Sequence, residues 1–165
     1  MSEEIEDQIR KLYENCDYLK NKNRKLEDRT RRCNLRIDGV NDEKFENWCQ
    51  TEEKVKTLLK ETLQLQQDFE IERAHRMGSY DEERPRTIIF KLLRYKDKEV
   101  ILQNAKKLKD TGIYIYEDFS DETNMIRRSL NETLKRERNK GKYCVLKYDK
   151  LIVREFRKKK NESSD

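Results

Sequence analysis

The sequence predicts an α+β chain in three parts: an N-terminal coiled-coil helix, a domain with the element order βαββαβ, and a small C-terminal helix plus hairpin. Three observations predict it. Apolar residues step regularly by four and three from Ile5 to Cys33; the period then switches repeatedly between 2 and 3.6 over residues 34–118; and the last quarter pairs one amphipathic helix with two short alternating runs under a large basic surplus. Composition agrees with a division into parts. With 44% charged and 33% hydrophobic residues, 165 positions hold too little apolar material for one core throughout, so part of the chain is expected as solvated helix. No run approaches the length of a membrane span, and the acidic start MSEEIEDQIR has no apolar stretch, which argues against a signal peptide and for an intracellular protein. Cys16, Cys33, Cys49 and Cys144 show neither CxxC nor His-pairing spacing, so reduced thiols are expected, with no zinc site, no other metal and no cofactor.

Residues 1–33 are expected to form the coiled coil. Ile5, Ile9, Leu12, Cys16, Leu19, Asn23, Leu26, Thr30 and Cys33 keep one seam facing a partner helix, and the positions between them are almost all charged or amide. Asn23 falls at an a position, where a buried amide costs stability but sets register, so a parallel, in-register assembly follows; dimer and trimer both stay open. Between Lys20 and Arg36 stand eight basic residues and two acids. Arg29, Arg31, Arg32 and Arg36 thus belong to a basic collar, repeated in every protomer, where the helix passes into the globular part.

Beyond the collar, NLRIDGV (34–40) alternates Leu35 and Ile37 with Arg36 and Asp38 and ends in glycine, as a strand does. A helix is expected over 46–65, with Trp48, Val55, Leu58, Leu59, Thr62 and Leu63 on one face. FEIERAHRMG reads as a second strand and RTIIFKLL (86–93) as a third, with Ile88, Phe90 and Leu92 on one side. KDKEVILQNAKKLKDTG is a second helix stopped by Gly112, and IYIYED (113–118) the last strand. Two helices on one face of a four-stranded antiparallel sheet make the split βαβ, ferredoxin-like arrangement over 34–118, with the other face free.

That free face should carry Arg36, Arg73 or Arg76, Lys91, Tyr114 and Tyr116: cations and two stacking rings, without paired carboxylates. His75, the chain's single histidine, has no Cys, Ser or Asp at a nucleophile–base spacing and no second His for a metal, so the basic strip Arg73, His75 and Arg76 is read as an anion surface. A histidine hydrogen-bonded within the sheet is equally compatible with the pattern. Sheets that read single-stranded RNA use aromatics on the central strands, with a third strand of the form K/R-G-F/Y-G/A-F-V-x-F/Y. RTIIFKLL departs from that form, and Arg36 stands where a ring would be expected, so phosphate contact is predicted over base reading.

Residues 119–157 form the C-terminal module. Ser120 is a good N-cap, with Asp121 and Glu122 in the first turn, for a helix that ends at Gly141; its stripe is Ile126, Leu130, Thr133 and Leu134. KYCVLKYDKLIVREF follows as a hairpin, expected to turn at Asp149–Lys150, and 158–165 as a polar, disordered tail. From Arg127 to Lys160 there are 14 lysines and arginines against four acids, which gives this module far more positive charge than the +5 of the whole chain. Arg127 and Arg128 lie about 100° apart on the helix and can reach two groups of one phosphate backbone or brace the linker. An enzyme such as a nuclease would need clustered acids for metal ions, and these are scattered singly among bases. A coiled-coil adaptor binding only protein predicts no salt-dependent affinity for oligonucleotides.

Taken together, the heptad seam, NLRIDGV, IERAHRMG, RPRTIIFKLL, YEDFSDETNMIRRSLNETLK and KYCVLKYDKLIVRE resemble the first-open-reading-frame RNA-binding protein of LINE-type retrotransposons, over about residues 1–157. No CCHC zinc knuckle is present, which sets the chain apart from that variant of the family. The resemblance implies a homotrimer, an RRM-like middle domain, and a C-terminal domain that closes over single-stranded RNA. It implies a nucleic-acid chaperone, not an enzyme, that packages the element's transcript in cytoplasmic ribonucleoprotein particles, with the nucleus as a second location, and takes single-stranded DNA as well. It also implies Arg127 and Arg128 as the RNA-binding pair and Tyr143 as a hairpin tyrosine; Lys135 and Lys147 extend that basic set.

Overall fold

In the computed structural model, which describes residues 2–156, the chain is α+β: a long N-terminal helix, a four-stranded antiparallel sheet with helices, and a C-terminal hairpin. It divides into two compact units, Lys25–Asp118 and, together, Met1–Arg24 with Phe119–Asp165. The tail expected at 158–165 lies outside the described residues.

Helix α1 (Glu3–Thr30) is continuous, with three acids in its first turn that suit the positive end of the helix dipole. Its last residue is Thr30, and Cys33, the final step of the seam, lies beyond it in a turn. The seam side chains Ile5, Ile9, Leu12, Cys16, Leu19, Asn23 and Leu26 are all exposed, Leu12 at 63% and Leu19 at 60%.

The Lys25–Asp118 unit has β1 (Asn34–Asp38), α2 (Trp48–Thr57), β2 (Ile71–Arg76), β3 (Ile88–Leu92), α3 (Tyr95–Asn104) and β4 (Tyr114–Glu117). The sheet order is β2-β3-β1-β4, every neighbouring pair antiparallel. Alternation decides the core: Leu35 and Ile37 of β1, and Ile88, Phe90 and Leu92 of β3, are fully buried on one face. Val55, Leu58, Leu59 and Leu63 from α2 and its extension, with Ile101 and Leu108 from the α3 side, complete that cluster. Each such side chain contributes about 1.5–3 kcal/mol relative to exposure, so the central pair of strands anchors the unit.

Two elements differ from expectation. The helix predicted over 46–65 starts at Trp48, where Asn47 and Gln50 form a reciprocal capping box, and its end is a π-helical turn, Leu58–Thr62. Trp48 does not join the apolar face; as the first helical residue it points outward and is 65% exposed. The second predicted helix closes as a 3₁₀ turn, Ala105–Leu108.

In the other unit, α4 (Asp121–Asn139) is capped by Ser120, whose hydroxyl accepts from the Thr123 amide. Strands β5 (Tyr143–Lys147) and β6 (Lys150–Arg154) pair through Lys147 opposite Lys150, so the turn is Tyr148–Asp149, one residue earlier than predicted. Tyr148 takes a φ of 52°, unusual for a residue with a side chain but suited to the first position of a primed hairpin turn. The bonds around Tyr148 hold it there.

Candidate nucleic-acid interface

On the sheet of the Lys25–Asp118 unit, the face opposite the core carries a cross-strand row, His75, Ile89, Arg36 and Tyr116, set by the registers of β2, β3, β1 and β4. Beside it, Arg73 stands opposite Lys91, which in turn stands opposite Asn34. Several of these cations are already committed. Arg36 Nε donates to Asp118 at 2.7 Å, Arg31 reaches the same carboxylate at 3.2 Å and Glu27 at 2.6 Å, and Asn34 donates to Asp118 at 3.0 Å. Burial raises the Asp118 pKa, but the Asn34 and Arg36 hydrogen bonds and the two guanidinium charges outweigh it, and the carboxyl is held below its ordinary value. Arg31 and Arg36 therefore neutralise an internal carboxylate, and two members of the expected collar are spent on structure. Arg29 and Arg32 remain exposed, with no side-chain ion pair among the described residues.

Arg76 is placed differently from the expected strip. Its register partner is Ile88, so it lies on the core side, and its side chain is only 3% exposed. There the guanidinium donates to Glu46 at 2.8 Å, to the Val40 and Arg86 carbonyls at 2.9 and 2.8 Å, and to the Asn41 carbonyl. The cause is ordinary strand alternation: positions 73 and 76 are an odd number of residues apart, so Arg73 shares the outer face with His75 while Arg76 shares the core side with Ala74. Arg73 and His75 stay exposed, and the His75 ring makes no hydrogen bond among the described residues. Lys91 is paired with Glu72 at 2.8 Å. Tyr116 donates to Asp38 at 2.8 Å, and burial together with that bond raises its pKa; Tyr114 is freely exposed.

The hairpin of the other unit offers a cleaner surface. Cys144 is buried, so its strand neighbours Tyr143, Val145 and Lys147 point the opposite way, and register places Arg154, Ile152 and Lys150 across from them. One face thus reads Tyr–Arg, Val–Ile, Lys–Lys, with Tyr143, Lys147, Lys150 and Arg154 all exposed. Like charges directly opposite on a two-stranded ribbon are destabilising by a few tenths of a kcal/mol up to about 1. An anion lying across Lys147 and Lys150 removes that cost, and the Tyr143 ring offers a stacking surface at the far end. On α4, Arg128 and Lys135 are exposed two turns apart on one side.

Arg127 does not share the position of Arg128. Its Nη1 donates to the Tyr148 carbonyl at 2.5 Å and its guanidinium lies 4.7 Å from the Phe119 ring centroid. Of the two expected roles for the pair, bracing belongs to Arg127 and the free charge to Arg128. A second brace comes from Arg24, which is only 7% exposed: it donates to Thr123 and Asp149, both at 2.9 Å, and stands 5.7 Å from the Tyr148 ring.

In sequence Arg24 stands among the bases of the collar and Asp149 at the expected hairpin turn; a pair 125 positions apart leaves no local signal. Lys150 and Arg154 are exposed cations beyond the expected site residues. Strand alternation would have found them once the turn was placed at Tyr148–Asp149. Compared with known proteins, the chain matches no family model and no curated sequence.

Proposed function

We propose that the chain is an oligomeric, largely sequence-independent single-stranded RNA- and DNA-binding protein and nucleic-acid chaperone, of the kind that packages retrotransposon transcripts into cytoplasmic and nuclear ribonucleoprotein particles. The observation that carries this reading is the hairpin face, where Lys147 and Lys150 stand directly opposite one another with Tyr143, Arg154 and no carboxylate on the same side. Strand order β2-β3-β1-β4, with α2 and α3 packed on one side, supports an RRM-like reading of residues 34–118. The exposed seam of α1 supports a coiled coil.

On this reading the phosphate track comprises Arg128, Lys135, Lys147, Lys150 and Arg154, with Arg73 and His75 on the sheet and Arg29 and Arg32 after the seam as further cations. These groups donate hydrogen bonds without a base-edge pattern, so the track grips backbone and tolerates sequence. Phosphate contact releases counterions, which makes affinity fall with salt. For roughly four to six phosphates per protomer, the log–log slope on single strands is about −3 to −4. Fluorescence anisotropy with labelled oligo(U) across a salt series measures it. A flat response sinks the reading and favours an adaptor that binds only protein.

A further inference from the structure

We propose that the free edge of β4, with the groove beside it, is a docking site for an extended acidic peptide. β4 is the outermost strand and pairs only with β1, in an unbroken register from Tyr114 to Glu117. The opposite edge is guarded: β2 has a register shift between Ile71 and Arg73 and carries Glu72 and Arg73 there, the devices that blunt a sheet edge. β4 has neither. About half of the main-chain N–H and C=O groups of such a strand point away from its only neighbour.

Beside this edge runs a groove of about 320 Å³, lined by Ala105, Leu108, Ile113 and Ile115, with Lys106 and Lys109 on its rim. Both lysines are exposed and form no ion pair among the described residues, and Asp110 is the one acid of the lining, so the rim is net positive. The groove is preformed. Gly112, one of its lining residues, packs against Gly39 so closely that a Cβ on Gly39 would lie 2.1 Å from the Gly112 carbonyl oxygen, which fixes the loop leading into β4.

Chemistry selects the occupant. A strand edge presents donors and acceptors alternately; a phosphodiester only accepts and leaves the carbonyls unmet, whereas an added peptide strand satisfies both. Four residues allow only a short ladder, so an apolar side chain in the groove and a carboxylate on the lysine rim must complete the contact. The site is separate from the nucleic-acid reading and does not depend on it.

The test uses the full chain and a fluorescein-labelled peptide alternating glutamate and valine. Binding tighter than about 100 µM, with slowed amide exchange across 114–117, is expected. Methylating alternate peptide nitrogens, or combining Lys106→Glu with Lys109→Glu, weakens it at least about tenfold (1.4 kcal/mol). Absence of binding overturns the proposal, as does equal binding by the methylated peptide or by one with lysine in place of glutamate. So does oligo(U) that slows the same amides and loses the same affinity in the double variant, an outcome that would make the groove a nucleic-acid surface.

Discussion

Arg127 and Arg128 are neighbours in sequence with different tasks, because about 100° of helix rotation turns one toward the hairpin and leaves the other in solvent. Arg127→Ala removes a charge-assisted hydrogen bond to Tyr148 and a guanidinium–ring contact, and is expected to cost about 1–3 kcal/mol of stability, read by thermal or urea unfolding. Arg128→Ala should leave unfolding unchanged and weaken oligo(U) binding by about 1 kcal/mol or more. Equal effects of the two substitutions on stability would refute the division. A second residue-scale expectation concerns Glu46, whose buried carboxylate meets Arg76 at 2.8 Å, Lys54 at 2.5 Å and the Thr51 hydroxyl at 2.8 Å. Burial pushes its pKa up, but the bonds from Arg76, Lys54 and Thr51 win and bring it down to about 2 from an ordinary value of 4.5. With the folded pKa below the unfolded one, ionised Glu46 stabilises the fold above pH 4.5, and that contribution disappears as pH falls toward 2. Glu46→Gln should cost about 3 kcal/mol at neutral pH, since it leaves buried Arg76 with only the more distant Asp42 carboxylate at 3.5 Å, and should flatten the acid limb of an unfolding titration. An unchanged acid limb would discount Glu46 as its source.

At the scale of elements, the β5–β6 hairpin sets stability against binding. Lys147→Glu converts a like-charge pair opposite Lys150 into an attractive one, so the hairpin should become more stable by a few tenths of a kcal/mol up to about 1. The same change should weaken oligo(U) affinity and make the salt slope shallower by about one phosphate contact, near 0.7 on single strands. Urea unfolding and anisotropy on one preparation separate the two effects. A variant that gains stability and keeps full affinity would place the phosphate track elsewhere. The turn itself shows how an element can be held from outside. Tyr148 keeps a left-handed conformation because its carbonyl takes Arg127, its ring packs 5.8 Å from Phe119, and Asp149 beside it is held by Arg24.

For the molecule as a whole, the exposed seam of α1 is an apolar stripe on a helix that is otherwise charged. Self-association through that seam buries Ile5, Ile9, Leu12, Leu19 and Leu26 at once, which one chain alone does not do. Light scattering at tens of micromolar is expected to report a trimer, with a dimer as the competing outcome that Asn23 allows; a monomer at such concentrations would remove the oligomeric part of the proposal. Asn23→Ile should raise the melting temperature of the assembly and mix its orders, because the buried amide that specifies register is gone.

Periodicity decided the elements from the sequence alone. The 4-3 spacing placed α1, alternation placed β1 and β3 with Leu35, Ile37, Ile88, Phe90 and Leu92 inward, and Ser120 marked the start of α4, because each signal lies within a few residues of what it specifies. The basic character of the C-terminal module was equally legible, being a matter of counting. Only tertiary structure decided which charges remain free. Arg24, Arg31, Arg36, Arg76 and Arg127 look the same in sequence as Arg29, Arg32, Arg73 and Arg128, yet the first five are bound to Asp149, Asp118, Glu46 and the Tyr148 carbonyl. Most of those partners lie tens of residues away, and a charge is committed only where the fold brings an opposite charge or a carbonyl within about 3 Å of it. Alternation along β2 and a turn one residue early in the hairpin did the rest, since an odd step along a strand sends a side chain to the other face.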